Sequence, residues 1–336
     1  MSLVFLGIGD PHFDGKMIKY MEDLNHRIVH EMDRVMEWGK REGIGLAVIY
    51  GDICETPNMS YQAHTLFLDF LMRWSPYYRI LIPLGNHDKE HSTHHSLQIF
   101  SRMCDYGLLP KVKIVEESTT FFRKSSTPLR ICPWPFLDTD PDALNVIHEA
   151  VAGAHWDHGR EVEGAKKMKD RCVSGHIHTA QTIGSTNYSG TLYQTSFGEK
   201  PRKYFHHVTW EDGEEPVIKR VRHVPSFRLE NAIIESQSDV EALSRDRNVL
   251  YKAFVKSNAV LDEDAFAELP NVVKFNSFRT RKELEKLIVD EIRLDDEFNV
   301  ASVLSVENNL KTWLDQSGEE PDLRKRAYRK FKTLFN

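Results

Sequence analysis

The chain has 336 residues, 40% hydrophobic and 28% charged, proportions of an ordinary soluble globular protein with room for one large domain and one or two smaller ones. No apolar run approaches the roughly 20 residues that span a bilayer, the opening Met1–Asp10 is too short and too uncharged for a signal peptide, and four scattered cysteines (Cys54, Cys104, Cys132, Cys172) with no C-x-x-C pair argue against a zinc ribbon or disulfide framework and for a reducing cytoplasm. A net charge of −6 does not advertise a nucleic-acid binder, but bound divalent cations would place positive charge where a phosphate must sit.

Buried-strand runs alternate with helix-period segments through the first half. Leu3–Ile8 reads as a strand. A helical stretch follows, with Ile18, Met21, Ile28, Met32, Val35 and Met36 on one stripe. Then come the strand Leu46–Tyr50, the helix Ala63–Trp74 and the strand Arg79–Leu84. This rhythm predicts a parallel or mixed sheet covered by helices. Shorter strands follow at Val112–Val115, Thr119–Arg123, Arg130–Cys132, Leu144–Ile147, Arg171–Ser174, Thr182–Ile183, Phe205–Trp210 and Val217–Val224, suggesting a second sheet. Past Pro225, the strands Leu250–Val255 and Val272–Phe278 flank a helix near Glu263–Leu269. Helices are expected at Lys282–Leu294 and Val303–Leu314 and in the basic tail Leu323–Asn336, which carries Arg324, Lys325, Arg326, Arg329, Lys330 and Lys332.

Four motifs carry chemistry, each directly after a strand: Gly9-Asp10-Pro11-His12, Gly51-Asp52, Gly85-Asn86-His87-Asp88 and Gly175-His176-Ile177-His178. Strand carboxyl ends are where α/β sheets place their ligand sites. A lone D-x-H after a strand is more often a turn or a helix cap, and a lone G-D is weaker still. All four in this order leave little room for coincidence. Holding two divalent cations about 3.5–4 Å apart takes a shared carboxylate, with imidazole and oxygen ligands on both flanks. Asp52 is the natural bridge. Asp10, His12 and His178 complete one position; Asn86, His176 and one further histidine complete the other.

The order D-x-H, G-D, G-N-H-D, H, G-H-x-H resembles that of calcineurin-like metallophosphoesterases, over roughly residues 1–225. The resemblance implies a four-layer α/β/β/α sandwich, and it makes His87 the group that protonates the leaving oxygen rather than a ligand. It also calls for a ligand histidine after the strand preceding G-H-x-H, where His148, His155 and His158 stand. His148 directly follows Leu144–Ile147, and Gly153 and Gly159 stand five and eleven residues beyond it, as in phage members of the family. His148 is favoured over His155. His91, His94 and His95 read as a solvated loop.

The metal site alone stops at phosphoesterase. Thr179-Ala180-Gln181, Tyr188-Ser189-Gly190-Thr191 and Phe197-Gly198-Glu199 are similar to the SbcD branch, nuclease subunits that pair with an SbcC-type coiled-coil ATPase in double-strand-break repair and recombination; phage recombination nucleases of that branch are similar in length. The resemblance implies three regions: a nuclease domain at 1–225, a small α+β capping domain that positions DNA at 226–280, and C-terminal helices that bind the ATPase at 281–336. It further implies Mn2+ as the activating ion (Mg2+, Fe2+ or Zn2+ being alternatives), a cytoplasmic location (the host's, for a phage protein), and a homodimer within a heterotetramer, joined through helices near Ala63–Trp74 and Leu97–Tyr106. Cellular members carry a second histidine three residues after the bridging aspartate; here that residue is Glu55, which puts exonuclease efficiency in question more than metal binding. The expected reaction is in-line hydrolysis of DNA phosphodiesters. The competing readings are a nucleotide or cyclic-nucleotide phosphodiesterase and a DNA-end-binding scaffold with weak activity.

Overall fold

A computed structural model of the chain describes residues 2–284, apart from 92–93, 124, 157–158, 164, 260, 262–268 and 270, together with residue 287. Compactness divides the chain into Met1–Arg281 and Lys282–Asn336. Of the second unit only four residues are described, 282–284 and 287, all helical as expected for the start of Lys282–Leu294; the rest of that helix and the other expected C-terminal helices lie outside the described residues, as do most of the expected helix near Glu263–Leu269 and His158.

In chain order the first elements are β1 (Leu3–Ile8), α1 (Leu24–Arg41), β2 (Leu46–Ile49), α2 (Tyr61–Trp74), β3 (Arg79–Pro83), a short hairpin of β4 (Lys89–His91) and β5 (His94–His95), α3 (Gln98–Asp105) and β6 (Val112–Val115). The strands β1, β2, β3 and β6 are four to six residues long and almost wholly buried, which is why they read as continuous apolar runs. They pair in parallel in the order β1-β2-β3-β6. The stripe Ile28, Met32, Val35 and Met36 of α1 packs with Phe67, Phe70 and Leu71 of α2 and Phe100 of α3 against one face of this sheet. The expected helix through Ile18 and Met21 is a correction. Lys16–Lys19 is a 3-10 turn and α1 starts only at Leu24, because this segment folds back by turn bonds to Gly15 and Met17 instead of extending the helix.

A second sheet follows, built from β7 (Thr119–Phe121), β8 (Leu129–Cys132), β9 (Leu144–Ile147), β10 (Cys172–Ser174), β11 (Gln181–Ile183) and β12 (Thr186–Tyr188), in the order β11-β12-β10-β9-β8-β7. Its four central strands are parallel and both edges antiparallel. The chain then returns to the first sheet, adding β13 (Lys203–Trp210) antiparallel to β1 and β14 (Val217–His223) outside it. The fold is thus mixed α/β, with two mixed six-stranded sheets. Phe5, Val48, Leu81 and Val208 of the first share one core with Ile131, Leu144, Val146 and Val173 of the second. On the second sheet's other face, Cys132, Ile147, Cys172 and Tyr188 are covered by loop residues such as Val151, Ala154 and Trp156, and no helix lies between β8 and β14 among the described residues.

After Pro225 come β15 (Arg228–Ile234), α4 (Gln237–Glu241), β16 (Val249–Lys256) and β17 (Val272–Phe278), with the three strands in one parallel sheet. Phe227, Leu229 and Leu250 join the core of the first sheet, while Ile234, Val249 and Ala253 build a small core of their own. No helix of the described residues is long and apolar enough to cross a membrane.

Candidate metal centre

Five parallel strands, three from one sheet and two from the other, deliver the motif residues to one place. Asp10 and His12 follow β1, Asp52 follows β2, Asn86 and His87 follow β3, His148 follows β9, and His176 and His178 follow β10. Asp10, His12, Asp52, His148 and His176 are buried. Polar residues at this depth need partners, and most of their polar atoms find them in one another; Asp10 Oδ1 and His12 Nδ1 do not.

Two groups stand on either side of Asp52. Nε2 of His12 lies 3.0 Å from Nε2 of His178, whose Nε2 is also 3.9 Å from Asp10 Oδ2. Opposite, His148 Nε2 lies 3.1 Å from Asp52 Oδ2 and 3.0 Å from Asn86 Oδ1, which is itself 2.8 Å from His176 Nδ1. Asp52 Oδ2 faces both groups, being 3.9 Å from His12 Nε2 as well. The sets Asp10–His12–His178 and Asp52–His148–His176 could each hold a metal ion, as could His12–Glu55–His87. The donors fit such an ion. Ligands about 2.1 Å from a cation and at right angles around it stand about 3 Å apart, the spacing found here. Asp10 Oδ1 is buried with no hydrogen-bond partner, a cost that a cation would remove.

The backbone is shaped for this convergence. His12, Asp52 and His176 hold left-handed φ values of 49°, 47° and 74°, each a strain of about 1 kcal/mol or more that is characteristic of functional sites. A Cβ on Gly85 would stand 2.1 Å from Asp52 Oδ1, and one on Gly175 2.3 Å from Asp10 Oδ1, so the glycines of these motifs clear room for the carboxylates.

The electrostatics are those of donors held close without a counter-charge. Burial opposes the charge of Asp52, but His148 outweighs it and holds the carboxyl well below its ordinary range. Burial likewise opposes the charge of His148, and Asp52 lifts it to about 10. Burial and the neighbouring His148 push His176 down to about 3, leaving a neutral imidazole with a lone pair to give.

His87 is only partly buried. Its backbone N–H donates to Asp52 Oδ1 (2.9 Å) and its Nδ1 to the Glu55 carbonyl (2.7 Å), so Nε2 is the nitrogen left to meet a substrate. His155 lies apart: it is exposed, and its backbone bonds the Gln181 side chain.

Three site residues were given no role by the motif reading. Asp88 braces the His87 loop, accepting from Gly85 N (2.9 Å) and Cys54 N (3.2 Å), and burial together with Asp52 pushes it up to about 6. Glu55, noted only as a departure, lies with Oε2 3.2 Å from His12 Nδ1. Glu199, quoted only within Phe197-Gly198-Glu199, accepts from His178 Nδ1 at 3.1 Å. Neither glutamate stands at a spacing from its histidine that a local pattern could reveal.

No family model matches the chain, and no curated protein matches it. What the centre does is read from its own residues.

Proposed function

We propose that the chain is a two-metal phosphoesterase, and more narrowly a Mn2+-dependent DNA nuclease of the SbcD kind that works with an SbcC-type coiled-coil ATPase. The observation that carries the first statement is Asp52 Oδ2, one carboxylate oxygen facing two separate sets of candidate ligands. Asp10, His12, His178 and Asp52 would hold one cation, and Asp52, Asn86, His148 and His176 the other. Bound divalent cations supply Lewis acidity, lower the pKa of water and stabilise charge on phosphoryl oxygens.

The protein's own residues do the rest. Asp52 sets the spacing between the two positions, and its Oδ1 holds the backbone of His87. The Glu55 carbonyl fixes the His87 ring through Nδ1, which aims Nε2 outward as the proton donor to the departing sugar oxygen. Burial of the ligands keeps their geometry from relaxing into solvent. The two facing sheets support reading the core as an α/β/β/α sandwich in which loops stand in for the second helical layer.

DNA as the substrate rests on the SbcD-like residues after G-H-I-H. In the same reading, residues 226–280 position DNA beside the centre, and the basic helices expected within 281–336 bind the ATPase. The exposed Tyr61 and Met72 of α2 and Ile99 of α3, with Tyr106 just beyond it, support a homodimer through these helices.

The test is Mn2+-dependent digestion of end-labelled linear duplex and single-stranded DNA, run beside a generic phosphodiester and a cyclic nucleotide. The expected result is DNA hydrolysis that falls about 100- to 10,000-fold in His87→Gln while both ions stay bound. Turnover of only the small esters would replace the nuclease with a nucleotide phosphodiesterase. Loss of metal in His87→Gln would show that the residue is a ligand.

A further inference from the structure

The imidazoles on the two sides of Asp52 are backed differently. His12 and His178 turn their Nε2 atoms toward each other, and a carboxylate stands near each outer Nδ1, hydrogen-bonded at His178 and within ion-pair distance, outside hydrogen-bond geometry, at His12. Glu55 Oε2 lies 3.2 Å from His12 Nδ1, and Glu199 Oε1 accepts from His178 Nδ1 at 3.1 Å. Across Asp52 the backing is neutral. His148 Nδ1 donates to the Tyr50 carbonyl at 2.7 Å, and the His176 ring packs edge-on against Trp156 with centroids 5.6 Å apart.

Glu199 is held firmly for this purpose. Its side chain is 1% exposed, Thr195 and His178 donate to Oε1, and Lys203 and Thr191 donate to Oε2. The Lys203 ammonium offsets the charge of the buried carboxylate. Glu55 is 15% exposed, with Lys16 Nζ 3.9 Å from its other oxygen. A carboxylate behind a histidine keeps the proton on the outer nitrogen, leaves the lone pair on the inner one, and raises its strength as a ligand.

Both carboxylates act on the same position. That position already has Asp10 beside the shared Asp52, whereas the other has the neutral amide of Asn86. We propose that Glu55 and Glu199 are positioning residues that make the Asp10–His12–His178 position the tighter of the two, filled first, while the Asn86–His148–His176 position fills second and exchanges more readily. On this account Glu55, at the place where cellular members carry a histidine, serves the metal side of the centre and not the substrate side. The proposal rests on the two-metal reading.

The experiment is titration of the metal-free full-length chain with Mn2+ alone, followed by calorimetry and by the electron paramagnetic resonance of free Mn2+. The wild type should bind two ions in two resolved steps. Glu55→Gln should weaken the first step about tenfold to a hundredfold and leave the second step in place. Glu199→Gln strands the Lys203 charge and is therefore paired with Lys203→Met; that double variant should shift the same step in the same direction, and metal-free melting curves check that each variant folds. An unchanged first step in the folded variants, or equal weakening of both steps, would overturn the proposal. A wild-type chain that binds one ion or none would overturn the two-metal reading, and the proposal with it.

Discussion

The two oxygens of Asp52 divide their work: Oδ2 faces His12 and His148, and Oδ1 accepts from the backbone of His87. Asp52→Asn removes the shared charge and is therefore expected to lose both ions, in contrast to His87→Gln, which keeps them; metal analysis of the two purified variants separates the roles. Gly175→Ala tests the cleared space. Its methyl would stand 2.3 Å from Asp10 Oδ1, so Mn2+ affinity should fall at least tenfold while the chain still folds, and an unchanged isotherm would show that Asp10 has room to move. At this scale the residues that converge on the centre were legible in the sequence because each follows a buried strand in a recognisable order. The sequence favoured His148 over His155 from its place after a strand, without saying which ring points inward; the structure puts His148 beside Asp52 and His155 at the surface. The carboxylates behind the ligands were not legible. Glu199 reaches His178 from beyond two intervening strands, and Glu55 reaches His12 from another strand's loop.

At the scale of elements, the parallel strands were readable because full burial makes them continuous apolar runs, and α1 and α2 because their stripes keep helical spacing. What was missed has weaker signals. β12 is three residues long, and β15 mixes polar and apolar side chains without regular alternation at an edge of its sheet. The Ile18–Met21 segment has helical spacing but closes into turns. One junction between elements is held by a buried charge. Glu31 of α1 accepts from His223 Nε2 at the end of β14 and from Ser226 N, both at 2.6 Å, just before β15 begins. Burial disfavours the Glu31 carboxylate, but the bonds from His223 and Ser226 outweigh it and depress its pKa. That stability is fully present above the ordinary glutamate value of about 4.3 and is lost as pH falls through the depressed folded value. Glu31→Gln should therefore destabilise the chain by about 1–3 kcal/mol at pH 7, with the gap to wild type closing in acid. Urea unfolding at several pH values measures this, and a gap that widens on acidification would contradict it.

For the whole molecule, a site assembled from the ends of both sheets couples metal binding to folding. An ion held at a hundred times its Kd adds about 2.7 kcal/mol of stability, so the melting temperature should rise by several degrees with Mn2+ and fall back with a chelator. Asp52→Asn should show no such response. A second sheet was expected from the shorter strands after Val112, but its membership was not legible: Val112–Val115, Lys203–Trp210 and Val217–His223 join the first sheet, and only the strands between Thr119 and Tyr188 build the second. Nor was the cover over the second sheet legible, since irregular loops such as Val151–Trp156 carry no periodicity. The most direct test of the central claim is crystallography of the Mn2+-soaked protein with anomalous scattering from the ion. The account predicts two peaks flanking Asp52, one against Asp10, His12 and His178 and the other against Asn86, His148 and His176. A single peak, or peaks that leave Asp52 untouched, would contradict it.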